Sequence, residues 1–136
     1  MNELKQLVMN LGLTFDVCWL GFVADIFPML TTCSVLVCAS HREPLGRVIL
    51  EAWDAGVIPV VFSGSGGAAE IVAAADAGIL YHEQNPASLA GALGRAFELN
   101  ASEREQLVHR GRAWTQNNCR LETYGRAITS IFRGAI

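Results

Sequence analysis

The sequence lacks the features that would place it in a membrane or on nucleic acid. Its apolar runs are broken by Gly, Pro or charge well before the roughly 20 residues that span a bilayer. Residues 1–11 carry Glu3 and Lys5 in an amphipathic pattern, which is not typical of a signal peptide. The net charge is −3 and the Lys and Arg residues are scattered, so the basic surface that nucleic acid requires is missing. We expect no transmembrane segment, no nucleic-acid partner and a cytoplasmic protein.

Motifs for metals and for the common phosphate loops are also missing. The four cysteines form no C-x-x-C pair and the three histidines have no metal-ligand spacing, so we expect no metal site and reduced, buried thiols. The glycine-rich loop Ser63–Gly67 lacks the G-K-[ST] ending of a P-loop and the G-x-G-x-x-G spacing of a dinucleotide loop. A turn with close backbone approach is its default interpretation.

What the sequence does contain is an alternation of apolar runs and helical patterns. This alternation predicts βαβ units, and the 51% hydrophobic fraction in 136 residues predicts one domain with a buried core. We expect an α/β fold over residues 1–136, a three-layer Rossmann-like parallel sheet flanked by helices. The predicted strands are Val17–Phe22, Val35–Ala39, Ile58–Phe62 and Gly78–Tyr81. The predicted helices are Met1–Leu11, Asp25–Thr32, Arg47–Ala55, one ending near Val72, and three at the end of the chain.

The last three helices have their own start signals. Asn85 is predicted to cap the first of them, with Pro86 at its first helical position. Ser102 and Glu105 are predicted to form a capping box at the start of the second.

The segment Ser40–Gly56 leaves a predicted strand, crosses a loop and enters a helix, and ligands bind where parallel strands end. It carries two carboxylates, Glu43 on the loop and Glu51 in the helix. The helix N-terminus between them favours an anion such as a diphosphate, and Gly46 lets the backbone approach it closely. Glu51 could accept hydrogen bonds from ribose hydroxyls, and Glu43 from a sugar beyond the phosphates. Acceptors therefore lie at both ends of the segment and donors lie between them.

Other interpretations of these residues stay open. Two acids on a loop and a helix are commonly solvated surface, and His41 beside Glu43 is equally well a bystander. Arg47 stands at a helix start, where a cation is unfavourable, and this favours a functional reason for it. In a different class of function, the chain is a non-catalytic α/β module that self-associates through a sheet edge or an apolar surface.

The same segment resembles the donor-site motif of retaining GT-B glycosyltransferases, above all family 4 (group 1 type). That motif is E-[GP]-F-G-x-x-x-x-E-A-x-x-x-G, and Leu45 stands here in place of its Phe. The residues in register are Glu43, Pro44, Gly46, Glu51, Ala52 and Gly56. Further resembling pieces, in the family's order, are Trp19–Val23, Ser34–Ser40, Gly56–Val61, Gly66–Val72 and Gly78–Leu80.

The resemblance implies a role for each site residue. Glu43 would be the catalytic-site carboxylate that contacts the donor sugar, and Glu51 would hold the ribose. The residues implied to flank the base are Ser40 and Arg42, those against the phosphates are Leu45, Gly46, Arg47 and Val48, and those at the rear of the cleft are Ser65, Gly66 and Gly67.

The resemblance also implies what this chain does not carry. It would be the carboxy-terminal half of a GT-B fold, truncated at its start and lacking the acceptor-binding amino-terminal domain. The Arg and Lys that neutralise the departing diphosphate would precede it, so the fragment is expected to be inactive alone. Its donor would be a nucleoside-diphosphate sugar used without metal or cofactor. A peripheral membrane attachment would run through the absent domain.

Overall fold

The computed structural model describes residues 2–134, and it confirms a three-layer α/β fold. The strands are β1 (Val35–Cys38), β2 (Ile58–Phe62) and β3 (Ile79–Tyr81). The helices are α1 (Asn2–Asn10), α2 (Phe27–Leu30), α3 (Arg47–Ala55), α4 (Gly67–Ala75), α5 (Pro86–Glu98), α6 (Ala101–Asn118) and α7 (Leu121–Gly134). The predicted helix Met1–Leu11 and the domain 1–136 include residues 1, 135 and 136, which lie outside the described residues.

The three strands form one parallel sheet in the order β1-β2-β3. Strand β2 is central and buried on both faces, as its continuous apolar run predicts. Val61 faces the layer of α3 and α4, whereas Val60 faces α5. Helix α6 packs outside α3 and α4. Because all the strands are parallel, their carboxyl ends share one edge, where ligand sites form in such sheets.

Helix α6 fastens the opposite, amino edge of the sheet through three arginines. Arg104 donates to Ser34 O and Ala96 O, at 3.3 and 2.7 Å. Arg110 donates to Asp76 O at 2.6 Å. Arg112 donates to Trp53 O at 2.9 Å and to Asp54 O at 2.7 Å. These cations satisfy carbonyls at the C-terminal ends of α3, α4 and α5, where they also suit the helix dipoles.

Trp53 closes this amino edge from inside. It is fully buried, and its Nε1 donates to Ala77 O at 2.7 Å. Gly111 on α6 packs directly on the indole ring, where a Cβ would collide with it. A large aromatic side chain with its polar atom satisfied is therefore clamped between α3, α6 and the start of β3.

The predicted strand Val17–Phe22 is wrong. These residues are irregular in the structure, and Phe22 is 93% exposed. The run has β-forming composition, but it pairs with no other strand among residues 2–134, and a strand requires a partner for its backbone N–H and C=O groups.

Two smaller predictions are also corrected. The capping box that begins α6 is formed by Asn100 and Glu103, with bonds of 3.0 and 2.8 Å, and not by Ser102 and Glu105. All four cysteines are free thiols, but only Cys38 is buried, because Cys18 and Cys33 lie on exposed irregular segments and Cys119 lies at an exposed helix end. By contrast, the Asn85 cap of α5 is confirmed, since its side chain accepts from Ser88 N at 2.8 Å.

Over residues 2–134, no helix combines the length and the apolar character needed to cross a bilayer.

Candidate functional site

Two loops meet at the carboxyl edge of the sheet, one after β1 and one after β2. Their backbones are joined, because Glu43 N donates to Ser65 O at 2.6 Å and Glu43 forms a parallel bridge with Gly66. The contact is close: a Cβ on Gly67 would collide with the Pro44 carbonyl oxygen. The β1–α3 and β2–α4 loops therefore form one rigid unit at the place where the sequence predicts a ligand.

Gly46 fixes how α3 begins. It is the N-cap residue, its φ is +72°, and a Cβ there would lie 2.7 Å from Ala68 Cα. A side chain at this position would thus be strained by its backbone conformation and blocked by the neighbouring helix. This glycine brings the N-terminus of α3 against α4, and α3 has no side-chain cap on its first N–H groups.

Glu43 lines a small cleft of about 180 Å³ formed by the two loops. Its Oε1 accepts a hydrogen bond from Gly46 N at 3.1 Å. In this structure the carboxylate therefore occupies the place of an anion at the start of α3. The other residues that line the cleft are His41, Arg42, Pro44, Gly64, Ser65, Gly66 and Gly67.

Glu51 lies on a different surface of α3. Its side chain is 39% exposed and lines a cavity of about 410 Å³ between α3 and α6. The other residues that line this cavity are Leu50, Asp54, Arg112, Thr115 and Gln116. The two carboxylates thus line separate concave regions, and the structure does not bring Glu43 and Glu51 into one shared pocket.

The remaining predicted phosphate contacts differ in what they can offer. Arg47 is exposed and pairs with Glu51 at 3.9 Å, an i,i+4 surface pair of small energetic value. The side chain of Val48 packs against the core, so only its backbone is available to a ligand. Leu45 is exposed at the end of the loop. Ser40, predicted to flank the base, is exposed two residues after the end of β1.

Ser65 is anomalous among these residues. It is fully buried, and its Oγ has no hydrogen-bond partner, a condition that no other buried side-chain oxygen or nitrogen shares over residues 2–134. A buried hydroxyl without a partner costs about 1–3 kcal/mol. Such a group next to a candidate site calls for a functional explanation.

Sequence reasoning missed several polar groups near the site. His82 Nδ1 lies 3.2 Å from Ser63 Oγ, and Gln84 Nε2 donates to Ala39 O at 3.3 Å, both at the carboxyl edge. The position of His82 directly after β3 was the available signal for the first contact. Arg112 and Gln116 beside Glu51 had no local signal, because α6 reaches this cavity only through tertiary packing.

An aromatic row extends from the cleft residue His41 through Phe62 to Tyr81. His41 packs edge-on against Phe62, with ring centroids 6.3 Å apart, and Phe62 packs against Tyr81 at 5.6 Å. Burial, with a smaller contribution from Cys38, raises the pKa of the Tyr81 phenol.

The described part of the chain holds no group of three or more His, Cys, Asp or Glu side chains placed to bind a metal ion.

Comparison with known proteins identifies relatives of this chain. Residues 1–114 match the family model described as "Glycosyl transferases group 1". An uncharacterized glycosyltransferase of Methanocaldococcus jannaschii is 39% identical over 98 residues, which are 71% of this chain and 25% of that protein. The chain therefore spans about a quarter of the length of this relative.

Two solved structures share the fold and cover most of the chain. HepE of Anabaena, crystallised in complex with UDP, matches with a TM-score of 0.84 and 28% identity, over 98% of this chain and 36% of that one. The C-terminal domain of a glycosyl transferase group 1 family protein of Francisella tularensis matches with a TM-score of 0.72 and 25% identity, over 88% of this chain and 62% of that one.

Proposed function

Since this chain belongs to the glycosyl transferases group 1 family, we propose that it is the donor-binding domain of a retaining glycosyltransferase of family 4. Its fold is that of the carboxy-terminal domain of GT-B glycosyltransferases. The donor is a nucleoside-diphosphate sugar, and its sugar passes to an acceptor with retention of configuration. The UDP complex of the similar Anabaena protein supports a nucleotide as the ligand.

One observation carries the proposal: α3 begins between Glu43 and Glu51 in the chain, an anionic oxygen of Glu43 already bonds the N–H of its N-cap Gly46, and each carboxylate lines its own concave region. The diphosphate lies over this terminus, against the backbone of Leu45, Gly46, Arg47 and Val48, where N–H groups and the helix dipole favour negative charge. The Arg47 side chain, exposed beside the same turn, adds a positive charge.

The two carboxylates bind opposite ends of the ligand. Glu51 accepts hydrogen bonds from the ribose hydroxyls at the rim of the α3–α6 cavity. Glu43, in the cleft of the joined loops, contacts the transferred sugar and is the catalytic-site carboxylate. The family resemblance assigns Ser40 and Arg42 to the base, but Arg42 lines the cleft of Glu43, so we propose only Ser40 for the base. The segment Ser65–Gly67 forms the rear of that cleft. The ligand thus extends across the first turn of α3.

The transfer reaction requires more than this chain holds. Stabilisation of the leaving diphosphate is usually the largest catalytic contribution, and the family resemblance assigns it to an Arg and a Lys that precede this segment. We propose that an amino-terminal acceptor domain completes the enzyme, that this chain alone does not transfer sugar, and that no metal or cofactor takes part. The cytoplasm is the proposed location, with peripheral membrane contact through the acceptor domain.

The direct test is a nucleotide titration of this chain and of matched variants. UDP, GDP and ADP are titrated by calorimetry into the parent chain, Glu51→Ala and Glu98→Ala, the last being an exposed acid on α5. We expect one nucleotide to bind the parent, with about tenfold or greater loss in Glu51→Ala, because charge-assisted bonds to two hydroxyls are removed. Glu98→Ala should bind like the parent. Indifference of the parent chain to all three nucleotides would contradict the proposal.

A second function has one observation in its favour. Helix α7 has no buried residue, and its apolar stripe is exposed. The stripe consists of Leu121, Tyr124, Ile128, Ile131 and Phe132. Such a surface favours a non-catalytic module that self-associates through α7. Sedimentation of the parent chain and of Ile131→Asp separates the two functions, since a dimer that dissociates in the variant and binds no nucleotide supports the module.

A further inference from the structure

The hydroxyl of Ser65 contributes no hydrogen bond to the fold. Its backbone is fully engaged, since Ser65 N donates to Phe62 O at 3.0 Å and Ser65 O accepts from Glu43 N at 2.6 Å. An alanine at this position would keep both bonds and nearly the same volume. It would also remove the buried oxygen that lacks a partner. Fold stability alone therefore favours alanine.

Ser65 lines the same cleft as Glu43, whose carboxylate the proposed ligand would displace. Glu43 Oε1 now accepts from Gly46 N, and the proposed diphosphate requires the same end of α3. Two anions cannot both take this N–H group, so the Glu43 side chain must turn to another donor when the phosphate arrives. The Glu43 backbone is bonded to that of Ser65, and both residues line the same cleft, so the hydroxyl of Ser65 is a donor on the same loop pair to which the carboxylate can turn.

We infer that Ser65 is a positioning residue for Glu43. When the donor takes the N-terminus of α3, the Ser65 hydroxyl donates to the displaced carboxylate and holds it against the transferred sugar. This inference rests on the proposed function and specifies how the sugar end of that same site is organised. The bond between Glu43 N and Ser65 O keeps the two loops joined, so the rearrangement is a rotation of the two side chains.

We expect Ser65 to affect the binding of the sugar part of the ligand and not the binding of its nucleotide part. With UDP alone, water in the open cleft can solvate the displaced carboxylate, so Ser65 matters little. With a sugar in place that water is excluded, and the orientation of Glu43 depends on the hydroxyl. The informative quantity is therefore the ratio of the Kd for UDP to the Kd for a UDP-sugar.

The experiment measures this ratio in four proteins: the parent chain, Ser65→Ala, Ser65→Thr and Ser63→Ala. The probes are UDP, UDP-glucose, UDP-galactose and UDP-N-acetylglucosamine. For the sugar that binds best, we expect Ser65→Ala to lower the ratio roughly fivefold, which corresponds to the loss of one hydrogen bond. Ser65→Thr, which keeps a hydroxyl, should restore it. Ser63→Ala, whose parent hydroxyl contacts His82, should leave it unchanged.

Two further readouts exclude a merely structural role. The unfolding midpoint of Ser65→Ala should be equal to or above that of the parent. In a Glu43→Ala background, Ser65→Ala should have no further effect on the ratio, because the two residues act together. An unchanged ratio in Ser65→Ala, or an equal loss for UDP and UDP-sugar, overturns the inference while Glu51→Ala can still support the proposed function. If the parent binds no probe, the proposed function and this inference both fail.

Discussion

The amino edge and the carboxyl edge of the sheet differ in how well their buried polar groups are satisfied. At the amino edge, buried Trp53 has its N–H satisfied, and three arginines of α6 donate to carbonyls at the ends of α3, α4 and α5. At the carboxyl edge, Ser65 keeps a buried hydroxyl without a partner, and α3 starts without a side-chain cap. The amino edge thus has its buried polar groups satisfied, whereas the carboxyl edge leaves polar groups available to the proposed ligand.

The largest loss of stability is expected from the removal of Trp53 at the amino edge. Trp53→Ala deletes a fully buried aromatic side chain and its bond to Ala77 O, so we expect a loss of roughly 3–5 kcal/mol in the free energy of unfolding. Urea denaturation followed by circular dichroism measures it. Trp114→Ala, which removes the half-buried neighbouring ring, should cost clearly less, and equal losses would mean that the amino edge is not centred on Trp53.

Gly46→Ala attacks the carboxyl edge through its backbone. Its φ of +72° and the closeness of Ala68 predict a loss on the order of 2–3 kcal/mol together with loss of nucleotide affinity. Gly94→Ala, at an α5 glycine with open space around it, is the matched control and should be neutral or stabilising. Gly46→Ala with parent-like affinity would show that the ligand does not require this close approach.

Arg104→Ala tests whether the α6 arginines fasten the amino edge. It removes bonds to Ser34 O and Ala96 O, and we expect a loss of roughly 1.5 kcal/mol without any change in nucleotide Kd. The exposed Arg120→Ala provides the comparison and should alter stability by less than about 0.5 kcal/mol. A change in Kd for Arg104→Ala would contradict the separation of the two edges.

The smallest expected effect is a pH dependence at Tyr81. Because burial raises the pKa of this phenol above its ordinary value of about 10, the folded state favours the neutral form. Its contribution to stability is complete below pH 10 and is lost as the pH rises through the raised folded pKa. The slope is at most about 1.4 kcal/mol per pH unit. Between pH 9 and 11, the free energy of unfolding should therefore fall less steeply with pH in Tyr81→Phe than in the parent. Urea denaturation at each pH measures it.

The sequence predicts best those elements whose signals are local. Arg47–Ala55 and Ile58–Phe62 have the predicted bounds, because Gly46 and Gly56 mark the ends of the helix and the apolar run is continuous. The strand Val17–Phe22 failed because a strand depends on a partner elsewhere in the fold. The capping box was predicted at the wrong pair because Asn100 with Glu103 and Ser102 with Glu105 both fit its spacing.

The candidate site also combines residues that local sequence signals predict with residues that only tertiary packing brings together. The position of Glu43 beside a helix N-terminus follows from the β1–loop–α3 pattern, and the structure places it there. The cavity around Glu51 is completed by Arg112 and Gln116, which only the packing of α6 on α3 brings to it. The unsatisfied hydroxyl of Ser65 is likewise a property of burial, which no spacing in the sequence reveals.

The proposed function depends on a nucleotide binding across the first turn of α3. The most direct measurement is the change of backbone amide chemical shifts of this chain during a titration with UDP, GDP or ADP. We expect the largest shifts at Gly46, Arg47 and Val48, with Ala77 and Gly111 at the amino edge unmoved. Shifts confined to α6 and α7, with the start of α3 unaffected, would contradict it.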